Sequence, residues 1–320
     1  MFNKKFFFSL LISALAIGFL LYKFDLKAFA SIQERWNPWF LIPVIFWNIL
    51  AMIPFSLRWY FLLDRKLSVK KSMLSAYLGV GANMVLPARG GDILRLYYCK
   101  NNSDIHYATL VSQLFIEKIL DLIIVLFIGA SSFLLLGLGE SNSSPAGIFI
   151  SGLVVVGVIF LLILIRFANS FLISLGRMIF SWIGKESIFI HKLEPHLIDL
   201  KSFLTLRKLA IPVAITIPTW LAGYAVTYMF ESYLIGIPLG YNSILFMVFC
   251  GAMGVAVPSA PSGLGVFHAS IISGFVLLGM KSEDGFVFAT AVHLLQFIIL
   301  SLLGWLAYMI WMIDKKDVSK

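Results

Sequence analysis

Charged side chains are scarce in this chain, and no long polar stretch interrupts it. Asp, Glu, Lys and Arg make up 13% of the 320 residues, whereas hydrophobic residues make up 60%. The mean hydropathy is +0.94. A soluble domain cannot bury so much apolar surface, so the composition predicts an all-α polytopic membrane protein. We expect one integral membrane domain over residues 1–320, without a separate soluble catalytic domain and with about seven to nine apolar segments.

Cysteines and the common catalytic signatures are almost absent. The two cysteines, Cys99 and Cys250, lie in or beside apolar segments and cannot build a disulfide framework or a metal cluster by themselves. The chain has no His-Glu-x-x-His, no phosphate-binding P-loop and no Gly-x-Ser-x-Gly. The acidic residues and His106 have no spacing that specifies a metal. We therefore expect no metal, no cofactor and no catalytic residue, and an enzyme is the less favoured interpretation.

The net charge of +9 suits a membrane protein whose basic loops face anionic lipid headgroups, and we expect no nucleic-acid partner. Lys4 and Lys5 place the N-terminus inside, and the basic tail after Ile313 places the C-terminus there. Glu140–Pro145 contains no Lys or Arg and is predicted outside. These assignments predict a protein of the cytoplasmic (inner) membrane with both termini in the cytoplasm. The residues taken to mark a further inside loop are Arg58, Arg65, Lys66, Lys70 and Lys71.

Long apolar runs give the predicted spans. The first run continues through Tyr22 without a break, so we favour an uncleaved signal anchor over a cleaved signal peptide. The basic segment 166–208 is predicted to be a cytoplasmic connector. Within it, Lys185–Arg207 fits either an amphipathic helix on the membrane surface or an ordinary solvated linker. The predicted apolar segments are Phe6–Tyr22, Trp39–Leu57, Ser72–Leu86, Ile119–Leu138, Gly147–Ile165, Leu209–Phe230, Ser243–Val257, Leu264–Met280 and Phe286–Ile313.

Two of these segments are short and end at helix-breaking residues. The first continues through Gly81–Asp92, which contains a proline, an arginine and a glycine pair; the second continues through Gly251–Gly265. The inside and outside assignments leave no crossing for either segment, so we predict two re-entrant or broken helices that enter from opposite faces. Short matches, such as Gly-Ala at 81 and again at 251, favour an inverted repeat of residues 39–138 and 209–313.

Charge at membrane depth is costly and persists where protein or a polar cavity satisfies it. Arg89 stands beside Gly90 and Gly91, and a guanidinium offers a planar fork of donors suited to phosphate. The glycines would let a headgroup approach the backbone. Arg95 follows near the start of a helix. The arrangement is typical of a phosphate clamp for a lipid headgroup; the alternative is a snorkelling arginine paired with Asp92.

Further polar side chains share helical faces. Glu117 and Asp121 lie four residues apart with Lys118 beside them, so two carboxylates face one way. They fit an ion relay, a site for a cationic headgroup, or partners for Arg89 and Arg95. His293 and Gln296 share a face of the last span, and His268 follows the second break; a role in pH sensing or headgroup binding competes with a structural one. Glu231, at a span end, is predicted to be interfacial.

The motifs together resemble a known family, the lysylphosphatidylglycerol synthase transmembrane region, also called the flippase-like domain family. The resemblance rests on Asn83-x-x-Leu86-Pro87-Ala88-Arg89-Gly90-Gly91-Asp92-x-x-Arg95, on Glu117-Lys118-x-x-Asp121 and, more weakly, on Pro261-Ser262-Gly263-Leu264-Gly265-Val266. It covers nearly the whole chain and implies the stand-alone membrane domain. In that family some members also carry a cytosolic aminoacyl-transferase domain, and the membrane domain moves the lysylated lipid to the outer leaflet.

The resemblance implies a lipid path and a set of residues along it. Two departures stand in the second motif, where Ser262 replaces a glycine and His268 takes a position that is usually acidic; they imply a different headgroup. The predicted headgroup-binding residues are Asn83, Pro87, Arg89, Gly90, Gly91, Asp92, Arg95, Glu117, Lys118, Asp121, Pro261, Gly263, Gly265, His268, His293 and Gln296.

The leading functional expectation is a flippase for a phospholipid, anionic or aminoacylated, that passes its headgroup through a polar cavity. One alternative is a membrane-embedded lipid-modifying transferase, with Asp92 or Glu117 as general base. Another is a non-catalytic membrane partner of a separately encoded lipid or glycan enzyme. The expected partners are therefore a membrane phospholipid, such an enzyme, or further copies of the chain in a homo-oligomer.

Overall fold

The fold is all-α, as predicted. The computed structural model describes residues 35–86, 89–138, 205–256 and 263–318, together with Ser174, Arg177, Met178 and Ser181. In these ranges the regular elements are helices. After a short 3₁₀ turn at Pro38–Phe40 come α1 (Leu41–Leu62), α2 (Val69–Val85), α3 (Gly90–Asn101), α4 (Tyr107–Leu135), α5 (Leu206–Pro218), a π-helical turn (Thr219–Tyr224), α6 (Ala225–Leu234), α7 (Tyr241–Ala256), α8 (Val266–Leu277) and α9 (Ser282–Val318).

Within the described residues, four helical runs are long and apolar enough to cross a membrane, and each contains or overlaps a predicted span. The run 207–234 joins α5, the π-helical turn and α6 into one rod. Helix α4 begins at Tyr107, twelve residues before the predicted start (119 − 107 = 12), so its first three turns carry the polar residues around Glu117. The predicted segments Phe6–Tyr22 and Gly147–Ile165, and nearly all of the connector 166–208, lie outside the described residues. The four runs are Pro38–Leu62, Tyr107–Leu135, Arg207–Leu234 and Ser282–Asp314.

Each broken segment folds back on itself as a helical hairpin. In the first, Gly91 of α3 packs against the backbone of α2 at Gly79 and Asn83, and Arg95 lies over Gly79 farther from the tip. In the second, α8 runs back along α7, with Gly254 against Phe267 and Gly274 against Met247. Helices of 12 to 17 residues are about 18–26 Å long at 1.5 Å per residue, shorter than a bilayer core of about 30 Å. These hairpins have the form expected of re-entrant segments.

The breaks have local backbone causes. Helix α2 ends where Leu86 turns to an extended conformation (φ −88°, ψ 136°). Arg89 then adopts a left-handed conformation (φ 56°) immediately before α3. In the second hairpin Gly265 precedes α8 at φ +90°. A residue with a Cβ is strained at such an angle, so a glycine suits this position. Residues 87–88 and 257–262, which include Pro87 and Pro261, lie outside the described residues.

The two halves of the described structure share one order of elements: a span, a half-helix, a break, a second half-helix and a final span. They also pack reciprocally. Helix α2 of the first half packs on α9, the final span of the second, whereas α7 of the second half packs on α4, the final span of the first. Both contacts use glycine: Gly81 meets Gly304, and Gly129 meets the ring of Phe249. A two-fold relation between the halves would produce this reciprocal packing. The orientation of each half in the membrane remains a prediction.

The α2–α9 contact gives a stability prediction. A Cβ on Gly81 would lie 2.5 Å from the Cα of Gly304 and 2.6 Å from the carbonyl oxygen of Leu300. Backbone atoms cannot rotate away, so Gly81→Ala should overpack the contact and cost about 1–3 kcal/mol of stability. Denaturation of the purified protein in mixed micelles measures the loss. The matched control is Gly240→Ala, because no atom lies within 4 Å of its added Cβ; equal stability of the two variants would contradict the close contact.

Candidate functional site

The buried centre of the first half is an ion pair between two helices. Arg95 of α3 donates from both terminal nitrogens to the two carboxylate oxygens of Glu117 on α4, at 2.9 and 3.1 Å. Neither side chain is more than 1% exposed. Lys118, whose side chain is 34% exposed, adds a third donor to Glu117 at 3.4 Å. A bidentate pair of this kind fixes the second arm of the hairpin to the following span.

A second pair lies beside the first and joins α1 to α4. Arg58 donates to both carboxylate oxygens of Asp121, at 2.5 and 3.1 Å, and to the hydroxyl of Thr216 on α5 at 3.1 Å. Its guanidinium also lies 3.8 Å from Glu117. Our prediction that Arg58 marks an inside loop is wrong: α1 extends to Leu62 and Arg58 is fully buried. Burial is tolerated because two carboxylates face it.

Aromatic side chains enclose this network. The guanidinium of Arg95 lies 3.9 Å from the ring centre of Trp59 and 5.1 Å from that of Phe55. Such contacts stabilise a cation away from water. The indole of Trp220 donates to Asp121 at 2.8 Å, and its ring lies 4.6 Å from that of Tyr224.

Trp220 and Tyr224 both belong to the π-helical turn that follows Pro218. A π-helical turn changes the register of a helix, and such turns occur often at functional sites. Here it carries both rings to the edge of the network, because Trp220 bonds Asp121 and its ring lies against that of Tyr224. The turn therefore joins this helical run to the buried pairs.

Arg89 connects the two hairpins in the described structure. Its left-handed backbone begins α3, and its exposed guanidinium donates to the carbonyl oxygen of Val255 at 3.4 Å. Val255 lies in the last turn of α7, at the edge of the second break. The bond is long and solvent-accessible, and it leaves most of the guanidinium's five donors unused in the described structure. Unlike Arg58 and Arg95, Arg89 faces no carboxylate within 4 Å in the described part of the chain.

The remaining residues of the first motif hold the hairpin closed. Asn83 of α2 donates to the carboxylate of Asp92 on α3 at 3.0 Å. Gly91 is buried, and a Cβ there would meet the backbone of α2. Our expectation that both glycines leave the backbone open to a headgroup therefore fails for Gly91, which allows close packing of the two arms. Gly90 is half-buried beside Leu86 at the tip of the hairpin.

The polar residues of the second half form a separate group. His268 of α8 is 4% exposed, and its ring centre lies 5.3 Å from that of His293 on α9. Phe267 packs edge-on against both imidazoles. Gln296 follows His293 by three residues on the same helix, and its amide nitrogen has no hydrogen-bond partner in the described structure. Gly263 and Gly265 border the break and take positive φ angles.

Pairing with Arg89 and Arg95 was one of three alternatives that the sequence left open for Glu117 and Asp121. Arg95 does pair with Glu117, whereas Arg89 pairs with neither carboxylate in the described structure. The sequence did not anticipate Arg58 or the π-helical turn. It also placed Glu231 at the interface, whereas the structure buries it completely, because α6 lies between α1 and α7. In the described ranges no three His, Cys, Asp or Glu side chains converge as metal ligands.

Comparison with known proteins agrees with this architecture. The family model described as Lysylphosphatidylglycerol synthase TM region matches residues 6–304. UPF0104 membrane protein MJ1078 of Methanocaldococcus jannaschii is 27% identical over 248 residues, which cover 74% of this chain and 96% of that protein. No solved structure gives a significant match.

Proposed function

Because the chain belongs to the family of lysylphosphatidylglycerol synthase TM regions, we propose that it moves the phosphate-bearing headgroup of a lipid across the membrane. The headgroup would pass the junction of the two hairpins while the acyl chains remain in lipid. The observation that carries this proposal is the position of Arg89. It is an exposed guanidinium at the tip of one hairpin that touches the tip of the other, so one cation is within reach of both halves.

The charges favour an anionic headgroup over an aminoacylated one. The two carboxylates of the network behind the junction are already engaged: Glu117 by Arg95 and Lys118, and Asp121 by Arg58. Asp92 accepts from Asn83. The residues of the two breaks, 86–89 and 256–263, include no Asp or Glu. A phosphate would find the unused donors of Arg89, whereas the carboxylate nearest in sequence for a lysyl ammonium is that of Asp92, one of whose oxygens already accepts from Asn83.

Apolar surface lies next to Arg89 on both hairpins. Val85 and Leu86 precede the first break and are 57% and 41% exposed; Ile93 follows it and is 69% exposed. Val255, whose carbonyl oxygen accepts from Arg89, is 39% exposed. A lipid that binds Arg89 through its phosphate would therefore meet apolar side chains where its glycerol and acyl chains begin. This combination of one cation and an apolar border suits a lipid better than a soluble phosphate ester.

We propose the cytoplasmic membrane as the location, with both termini in the cytoplasm. The basic loop 65–71 and the end of α9 lie on one side of the molecule, because Lys70 bonds Asp314 at 3.3 Å. Lys66 and Lys71 are exposed at the same end. A cluster of Lys and Arg on one side of the membrane supports an inside assignment. Reconstitution of the protein in vesicles with a defined orientation would test on which side the termini lie.

The headgroup site is tested by lipid binding. The full chain, purified and exposed to an equimolar mixture of phosphatidylglycerol, phosphatidylethanolamine and lysylphosphatidylglycerol, should retain phosphatidylglycerol preferentially in native mass spectrometry. Arg89→Ala should reduce that retention about tenfold or more, because a charge-assisted hydrogen bond contributes about 1.5–3 kcal/mol.

The matched control is Arg207→Ala, since Arg207 is also an exposed arginine but lies at the start of the run 207–234, away from the breaks. It should retain phosphatidylglycerol like the wild type. Preferential retention of lysylphosphatidylglycerol would contradict an anionic substrate. Equal retention by Arg89→Ala and the wild type would remove Arg89 from the site.

A further inference from the structure

A carboxylic acid lies fully buried in the second half, with no hydrogen-bond partner among the described residues. Glu231 of α6 is 0% exposed, and neither of its carboxylate oxygens has a hydrogen-bond partner in the described structure. No lysine, arginine or histidine nitrogen in the described part of the chain lies within 4 Å of it. The two carboxylates of the first half are the opposite case, since each is held by an arginine through two hydrogen bonds.

The sequence offers Glu231 no nearby counter-ion. From residue 209 to residue 280 it is the only Asp, Glu, Lys or Arg in the chain. Helix α6 packs against α1, α7 and α9 and against the turns at both its ends. Among the cations near these elements, Arg58 of α1 is engaged by Asp121, and Arg35, close to the far end of α6, lies 3.8 Å from Asp284. No described cation is left to neutralise a carboxylate at this position.

The ionisable groups on the elements that pack against α6 give Glu231 no hydrogen-bond partner in the described structure. Tyr228, one turn earlier on α6, is within electrostatic range of Glu231, and its hydroxyl lies close to Gly251 of α7. The other ionisable groups on the packed elements are Tyr60 on α1, Tyr241 and Cys250 on α7, Glu283, Asp284, His293, Tyr308 and Asp314 on α9 before its last turn, and Tyr224 and Tyr233 on the same run as Glu231. None of them bonds Glu231. Desolvation without compensation strongly favours the neutral form of an acid.

We propose that Glu231 is a proton-binding site, which holds a proton while it is buried as in this structure. The exchange is simple: a carboxylate oxygen takes a proton from a hydronium ion, which leaves water, and the same O–H bond breaks when water reaches the side chain again and accepts the proton. The route to water would be the end of α6 beside Gly236, which faces away from the basic start of the run 207–234. The ligand of this site is therefore a proton, and a metal or a headgroup is not required.

The fold connects this site to the buried network beside the hairpin junction. Glu231 and Trp220 belong to one helical run and lie eleven residues apart (231 − 220 = 11), about 16 Å along the axis. Trp220 donates to Asp121 of that network. A shift of this run that hydrates Glu231 would also move the π-helical turn beside Asp121. This part of the inference rests on the proposed function: proton uptake and release at Glu231 would accompany headgroup movement.

The proton is tested directly by infrared spectroscopy, without reference to lipid movement. The full chain in phosphatidylglycerol nanodiscs at neutral pH should show a carbonyl band of a protonated carboxylic acid, which shifts in D₂O after exchange. Glu231→Gln, nearly isosteric, should lose this band, whereas Glu283→Gln, at an exposed glutamate of α9, should keep it. Labelling glutamate carboxyl groups with ¹³C in the wild type assigns the band to glutamate even if the variant folds poorly.

Loss of the band in Glu231→Gln alone would support the proposal. Absence of a protonated-acid band in the wild type, or its persistence in Glu231→Gln, would overturn it. If lipid movement is then measured, Glu231→Gln should lose the dependence of its rate on pH that the wild type shows. A protein that shows the band but moves no lipid would contradict the proposed function while leaving the proton site intact.

Discussion

Replacement of Arg95 by methionine is expected to cost about 3–5 kcal/mol of folding free energy, the largest loss expected from any single substitution in this protein's buried charge network. Methionine preserves much of the apolar stem but removes both donors to Glu117. Glu117 is 0% exposed, so its charge would remain in the protein interior with Lys118 and the more distant Arg58 as its nearest cations. Denaturation in mixed micelles gives the free energy, and Gly240→Ala serves as the reference for a harmless substitution.

The double variant Arg95→Met/Glu117→Gln distinguishes two costs. One is the loss of the attraction between Arg95 and Glu117, and the other is the burial of a charged Glu117 without its partner. Removing both charges should recover a large part of the stability, because the cost of breaking a buried pair comes mainly from the partner left behind. Additive losses in the double variant would show that the two side chains do not depend on each other. That outcome would contradict the pair as the bond between the first hairpin and α4.

Arg58→Met is expected to have the second largest effect, also about 3–5 kcal/mol, because it deprives Asp121 of two hydrogen bonds and leaves Thr216 without its donor. Arg58→Lys should recover less than half of the loss. An ammonium is a compact charge and cannot reproduce a planar fork that reaches Asp121 through two nitrogens and Thr216 as well. The same denaturation measurement compares the two variants.

The position of Trp220 provides an independent readout for Arg58. Its indole donates to Asp121 at 2.8 Å, so its fluorescence should change when Asp121 loses its partner, and near-ultraviolet dichroism should change with it. If Arg58→Lys is as stable as the wild type, charge alone holds this helix contact. The planar, two-nitrogen geometry of the Arg58 guanidinium would then not be needed for stability.

In the described part of the chain, local pattern was enough to predict the spans and the hairpins. Apolar runs of sufficient length predicted the four long apolar helical runs found there, and helix breakers in short apolar segments predicted the two folded-back pairs. Such features depend on neighbours in sequence, because backbone polar groups in lipid must be satisfied within a helix. The motif around Arg89 likewise marked the place where the hairpins meet, although the contact with Val255 is 166 residues away in sequence.

Partners across helices were less accessible to sequence reasoning. Arg58 ends an apolar run, and a basic residue there is typical of a loop at the membrane surface; its burial depends on Glu117 and Asp121, 59 and 63 residues later (117 − 58 = 59, 121 − 58 = 63). Glu231 also stands near the end of an apolar run, and its burial depends on the packing of α6 against three other helices. The π-helical turn has no simple sequence signature beyond Pro218. It depends on how the helical run 207–234 packs against both α1 and the network of ion pairs.

The two arginine–carboxylate pairs suggest that Arg58 and Arg95 have a different role from Arg89. Arg58 and Arg95 are buried and neutralised, so they are suited to holding the helices around the junction in position. Arg89 and, to a lesser degree, Lys118 are accessible and retain donors. On this account a phosphate binds to the accessible cations, and the buried pairs provide the rigid frame behind them.

Lipid movement in proteoliposomes tests the central claim most directly. Vesicles that contain the full chain and a fluorescent phosphatidylglycerol would be treated with a membrane-impermeant quencher, beside protein-free vesicles and vesicles with Arg89→Ala or Arg207→Ala. We expect quenching of the inner-leaflet lipid with the wild type and Arg207→Ala, and quenching at the protein-free level with Arg89→Ala. Absence of movement with folded wild-type protein, or undiminished movement with Arg89→Ala, would contradict headgroup transfer at the hairpin junction.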